Sequence, residues 1–468
     1  MQIIGTVVIL VVYVTLLVLV ALRAKAAREF ADFSVARRRL ALALVFASLS
    51  AAYVGPGFSV GFVGKGFTSG LLFLVIGLAY AAQNIVVGLW IAPRLRVFGD
   101  CHTLGDVMGR TYGRACQVLA GLISVGLCTG FAAVMAKAGG TIVADVFDRP
   151  FWVGVVAVVG LTCLYTTFGG LWASVVTDAF QFATFALFVP VLFLWVMAFC
   201  APGGPAGFAH QAVVATQSGW EATSTTQIVG LAVAFLLGET LIPPYAHRAL
   251  ASRTTRVSRN SFLLAGGFSV VWFTLMVGLG IAARGVVLAG THEDSVLVTL
   301  VKARFPLPCH ALLLIVLMAI VMSSLDSLLN AGAVSFAQDL GRLVLGPSDR
   351  RSLIAGRVAT VAIAVTAGLA ATAVPGIIEG LLICYSLWAP AILPALILGL
   401  WLKRPRPSAG IMSMVAGGGA AVMLQFDVPK ARIEAAGVPA IVLALLVSVT
   451  AYAAGQWLVP RMKRGLHD

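Results

Sequence analysis

The sequence predicts an all-α polytopic membrane protein of about thirteen transmembrane helices. Three observations carry that prediction. The chain of 468 residues is 60% hydrophobic and 11% charged, with a mean hydropathy of +1.00. Soluble domains carry about 25% charged residues, and a soluble fold of this length could not hide so much apolar surface. The apolar residues come in runs of about 20, enough to cross a hydrocarbon core. The basic residues sit in short connections between those runs. The net charge of +14 therefore reflects membrane topology rather than a nucleic-acid surface.

The runs justify themselves in order. The first, 3–22, lacks a basic leader and is followed by RAKAAREFADFSVARRR. That order suits a retained helix with its N-terminus outside, not a cleaved signal. The second, 41–64, reads through FASLSAAYVGPGFSVGFVGKGF and places Gly55-Pro56-Gly57 mid-membrane. Proline removes a donor and glycine relaxes the backbone. Either this is a simple kink, or the helix breaks and its freed carbonyls face an ion or solute. Lys65 follows near the outer mouth. The third run is 69–92, and the fourth, 115–147, holds Lys137, the one basic residue expected deep in a span. Runs 151–167 and 172–200 flank YTTFGGLWASVVTDAFQF, with Asp178 one to two turns inside the second of them. Asp178 either caps a helix start or serves as a buried ligand. Between 225 and 246, Glu239 precedes Leu241-Ile242-Pro243-Pro244, as a pathway residue or an interfacial one. Runs 260–283, 310–340, 353–373, 378–402, 408–425 and 439–459 complete the set. The longest connections, 201–224 and 284–309, are punctuated by Gly and Pro.

An odd number of spans puts the termini on opposite faces. With the N-terminus outside, inner connections hold 24 of the 32 Lys and Arg residues. The expected location is the plasma (inner) membrane, with the C-terminus cytoplasmic. The seven cysteines form no CxxC pair, which argues against a metal or redox motif. Cys200 and Cys309 could meet near the outer face. The histidines do not cluster.

The run 310–340 contains MSSLDSLLNAG, 322–332. Ser323, Asp326, Ser327 and Asn330 recur at i, i+3, i+4 and i+7, so they share one helix face. Ser323 falls near the midplane, and Asp326 slightly to its cytoplasmic side. Serine and asparagine alone could be interhelical glue. An aspartate there needs a cation, a proton or a basic partner. Asp178 lies at a similar depth, so the two acids could meet.

These residues resemble the sodium/solute symporter family of sodium-coupled sugar, proline and sialic acid transporters. The stretches that carry the likeness are ASLSAAYVGPGFSVGFVGKGFTSG, HTLGDVMGRTYG, TTFGGLWASVVTDAFQ and VMSSLDSLLNAGAVSFAQDL. The resemblance implies a leading helix (1–30), a core (41–402) and two C-terminal helices (408–460). The core would be two inverted five-helix repeats, about 41–200 and 225–402. It implies a sodium site from carbonyls of Ala51, Val54 and Ile320 and hydroxyls of Ser323 and Ser324. A second candidate sodium site would use Asp178, Asp326 and Ser327; some relatives carry Ser at 326. The substrate would sit against Tyr53, Gly55 and Phe58, with Gln83, Asn84, Lys137, Tyr385 and Trp388 as further candidates. Phe58 replaces a polar ligand of sugar carriers. Lys137 could receive a substrate carboxylate, pair with an acid, or snorkel, and it leans the reading towards an organic acid or amino acid.

The expected function is therefore sodium-coupled import of a small organic solute by alternating access, with partners limited to the solute, Na+ and the lipid bilayer. A proton-coupled carrier on the same fold, using Asp178 and Asp326, is one rival. A membrane sensor or channel is another. No catalytic triad, metal cluster or cofactor loop supports an enzyme.

Overall fold

The computed structural model describes residues 2–23, 27–199, 203–305, 307–425 and 437–457. Cys200, and with it the expected bridge to Cys309, lies outside the described residues. Among the described residues the chain is helical throughout, apart from one isolated bridge between Leu40 and Ser252. Among the described residues, eight helices are long and apolar enough to cross a membrane, or nine if one bent pair counts as a span.

The helices that position the site are as follows. α1 is Gln2–Arg23. α2 (Leu42–Tyr53) and α3 (Gly57–Ser69) meet at an angle of 60°. α4 is Leu71–Arg96, α5 Leu104–Tyr112, α6 Arg114–Phe147 and α7 Phe151–Phe199. α8 (Thr225–Leu237) and α9 (Pro243–Ala251) flank a second break. α10 is Thr255–Ala283, α11 Cys309–Leu345, α12 Asp349–Ala373 and α13 Ile377–Trp401. α14 (Pro407–Met423) and α15 (Ala440–Trp457) close the chain. α11 is the central post: 94% of its apolar window is buried, against 17% for α7.

Three interruptions shape the core, and each has a local cause. Between α2 and α3, Val54 leaves helical geometry and Pro56 cannot donate to the ladder, so the segment splits at Gly55. α7 is a hairpin in all but name. Gly170 has φ +58°, a left-handed conformation open to glycine, and a Cβ there would meet the Phe33 backbone at 2.6 Å. Tyr165 and Thr177, on either side, hydrogen-bond to the same oxygen of Asp326. In a straight helix their Cα atoms would stand about 18 Å apart, too far for both. The expected division near 167–172 is thus correctly placed.

The third interruption corrects the expected span 225–246. α8 ends at Leu237, five residues cross in irregular backbone with Leu241 at φ +50°, and Pro243-Pro244 open α9. Proline at a helix's first turn costs no hydrogen bond and presets φ. Trp388 Nε1 on α13 donates to the Thr240 carbonyl at 2.9 Å, holding one of the freed backbone groups. The shift of helix boundary has a consequence for charge. Arg248, read from sequence as part of a basic connection, lies on α9 and is only 1% exposed.

Candidate functional site

The two breaks face α11 across the core. Ser323 Oγ lies 3.1 Å from the Ile320 carbonyl and 3.4 Å from the Ala51 carbonyl at the end of α2. Ser324 Oγ is buried and has no hydrogen-bond partner. It points at Gly55, where a Cβ would stand 2.8 Å from it. The Val54 carbonyl accepts from Ser59 Oγ at 2.6 Å, and Ser59 in turn accepts from Trp272 Nε1 at 3.1 Å. A carbonyl has two lone pairs, so Val54 retains one. Hydroxyl and carbonyl oxygens, one of them an orphan, suit a hard cation.

One turn further along α11 is a charge cluster. Arg248 Nη2 pairs with Asp178 Oδ2 at 2.8 Å and also reaches Ser327 Oγ. Its Nε donates to Ser48 Oγ at 2.7 Å and its Nη1 to the Pro244 carbonyl at 2.9 Å. Ser48 Oγ donates to Asp178 at 2.5 Å. Asp178 is therefore a core residue and not an interfacial cap. Its other oxygen, Oδ1, has no partner. Asp326 accepts from Tyr165 (3.1 Å), Ser174 (3.1 Å) and Thr177 (3.2 Å), and Ser327 Oγ lies 3.2 Å from it. Ser327 is also 3.5 Å from Asp178, so it bridges the two acids as their depth suggested. Asn330, last on the stripe, instead donates to the Phe33 carbonyl at 3.2 Å, a packing role.

A small cavity of about 20 Å³, room for about one water, adjoins both clusters, lined by Gly55, Phe58, Phe131, Glu239, Tyr245 and Ser324 among others. Of the predicted substrate residues, Gly55 and Phe58 line it. Tyr53 packs against Tyr245, the rings tilted by 58° with centroids 4.2 Å apart. Tyr385 donates to Glu239 at 2.9 Å. Trp388 supports the break at Thr240 instead.

Like Tyr53, Tyr385 and Trp388, three further predicted residues are not among its lining residues. Gln83 and Asn84 are buried without hydrogen-bond partners, and Asn84 packs against Gly266 of α10, away from the cavity. Lys137 is half-buried with its ammonium 6.0 Å from the Phe151 ring centroid. It is not among the residues that line the cavity, and the fully buried basic residue is Arg248. As placed here, Lys137 offers the cavity no cationic partner.

Sequence reasoning passed over Arg248, Ser48, Tyr80, Tyr245 and the Tyr165–Ser174–Thr177 set. Pro243-Pro244 was the available signal for Arg248, since a prolyl pair that starts a helix carries the following residues back into the core. The hydroxyls are scattered over distant segments and offer no local pattern.

Comparison with known proteins places the chain in a family. The family model described as "Sodium:solute symporter family" matches residues 33–417. The high-affinity proline transporter PutP of Bacillus subtilis (strain 168) is 22% identical, over 84% of this chain and 86% of its own. Sodium/myo-inositol cotransporter 2 of Rattus norvegicus is 23% identical over 73% of this chain, which spans 58% of that longer relative. A solved Na+-coupled sialic acid symporter in a substrate-bound outward-open state superposes with a TM-score of 0.82, at 16% identity and 96% coverage of both chains.

Proposed function

Because the chain belongs to the sodium:solute symporter family, we propose that it imports a small organic solute by coupling it to sodium. The observation that carries this is the orphan hydroxyl of Ser324, aimed at a helix break beside Ser323 and the Ala51 carbonyl. In this reading Ala51, Val54, Ile320, Ser323 and Ser324 hold the ion, and the solute occupies the place of the small cavity that Ser324 also lines, in a form where the helices around it stand further apart. The chain spans the membrane thirteen times, with α7 as two spans, α2–α3 and α8–α9 as the first helices of two inverted repeats, and the N-terminus outside.

Sodium then acts as a tie. It draws α2 and α3 to α11 and favours the form open to solute. Coupling follows because the two forms differ in affinity for the ion, not because the ion binds tightly. Ser324→Ala should raise the sodium concentration for half-maximal uptake at least tenfold in proteoliposomes while the protein still folds. A sodium dependence like the wild type's would remove Ser324 from the site.

The charge cluster supports a second cation. Arg248 supplies one positive charge against the carboxylates of Asp178 and Asp326, and Asp178 Oδ1 is without a partner. A second sodium among Asp178, Asp326 and Ser327, or a proton on the same pair, completes the balance. With a second sodium, wild-type uptake is sigmoidal in sodium and Asp326→Asn makes it hyperbolic. Uptake driven by a pH gradient without sodium would assign the site to a proton.

A further inference from the structure

Glu239 is the one carboxylate that lines the cavity, and nothing basic answers it. It sits in the irregular backbone between α8 and α9 and is 5% exposed. Three tyrosine hydroxyls from three helices converge on it: Tyr80 of α4 and Tyr245 of α9 on one oxygen, the latter at 2.7 Å, and Tyr385 of α13 on the other at 2.9 Å. It takes part in none of the ion pairs formed among the described residues. Arg248 is committed to Asp178, Ser48, Ser327 and the Pro244 carbonyl. Lys137 is turned to Phe151.

Around this carboxylate the walls are aromatic. Phe58 packs on Tyr80 with centroids 4.2 Å apart, Tyr53 packs on Tyr245 at the same separation, and Phe131 packs on Tyr385 at 5.8 Å. Phe58, Phe131 and Tyr245 line the cavity directly. Aromatic faces carry the negative lobe of the ring quadrupole and attract ammonium groups, most strongly where water is excluded. The rest of the lining includes Met135, Ile242, Leu328 and Leu381, which suit alkyl carbons.

Other solute classes fit worse. An organic anion would bring a second negative charge to an unpaired one in a water-poor site. A polyol needs many donors and acceptors, yet the three tyrosine hydroxyls that approach are already spent on Glu239. We propose that the solute bears an ammonium group, primary to quaternary, which docks against Glu239 and the surrounding rings. This rests on the symporter reading above and narrows its substrate class. A solute that also carries a carboxylate is accommodated with that end towards Ser324.

The test uses the purified full-length protein and follows its melting temperature, which rises with any ligand that prefers the folded state. Sodium alone is compared with sodium plus choline, glycine betaine, lactate or myo-inositol. Choline or glycine betaine should stabilise the protein in sodium, whereas lactate and myo-inositol should not. Glu239→Gln should weaken the response to the ammonium probes at least tenfold and keep the shift caused by sodium alone. Glu239→Asp should keep part of the response. Stabilisation by lactate or myo-inositol in place of the ammonium probes overturns the proposal. So does an undiminished ammonium response in Glu239→Gln, or no response to either ammonium probe while sodium still stabilises. Absence of the sodium shift in the wild type counts against the symporter reading itself. Should Glu239→Gln not fold, the wild-type comparison of probes decides alone.

Discussion

Arg248 shows how much one side chain can hold. It joins α9 to α2, α7 and α11 through Ser48, Asp178 and Ser327. Removing one partner of a buried pair leaves the other charge uncompensated, at a cost of about 3–5 kcal/mol. Arg248→Met should therefore lower stability by that order, read as a fall in melting temperature in detergent. Asp178→Asn in the same chain should recover a substantial part of it. If the double variant is no more stable than Arg248→Met, the pair is not the source of the loss. At this scale the sequence was legible where a residue's oddity was local: Asp326 and the serines stand out in a greasy helix. Arg248 did not, because three arginines follow it within eleven residues and resemble it. Glu239 was visible, but its three tyrosines come from helices far apart in the chain, and only packing brings them together.

The elements matter here through their interruptions. At Gly55 the break and the Ser324 hydroxyl are so close that a methyl group would stand 2.8 Å from the oxygen. The serine can rotate away, so Gly55→Ala should disturb the ion site more than the fold. We expect a loss of about 1–3 kcal/mol in stability and a larger proportional loss in sodium affinity, measured by sodium-dependent thermal shift. Equal sodium affinity in this variant would place the ion elsewhere. The break at Gly55-Pro56-Gly57 and the turn near Gly170 could be read from sequence because glycine and proline announce them. The break at 238–242 was less plain although Pro243-Pro244 follows it, since Leu241 and Ile242 prolong the apolar pattern and the left-handed residue is Leu241, not a glycine.

For the molecule as a whole, a partly solvated contact ties α3 to α13 at the end of the core that the proposed topology turns outward. Lys65 of α3 pairs with Glu293 at 2.7 Å and lies 3.8 Å from Glu379 of α13. These side chains are partly solvated, so each pair is worth at most about 1 kcal/mol. Lys65→Met should leave the melting temperature nearly unchanged and speed solute exchange in counterflow, as high salt should in the wild type. Exchange at the wild-type rate would mean that this bridge does not retain the outer end. The unpaired carboxylate of Glu239 has a further consequence at this scale. If the solute is a net cation that brings the positive charge the cavity lacks, every turnover moves that charge as well as the sodium. The carrier is then a current source whose charge-to-solute ratio exceeds one. Each elementary charge is worth about 2.3 kcal/mol per 100 mV, so voltage by itself, without any sodium gradient, would concentrate the solute steeply.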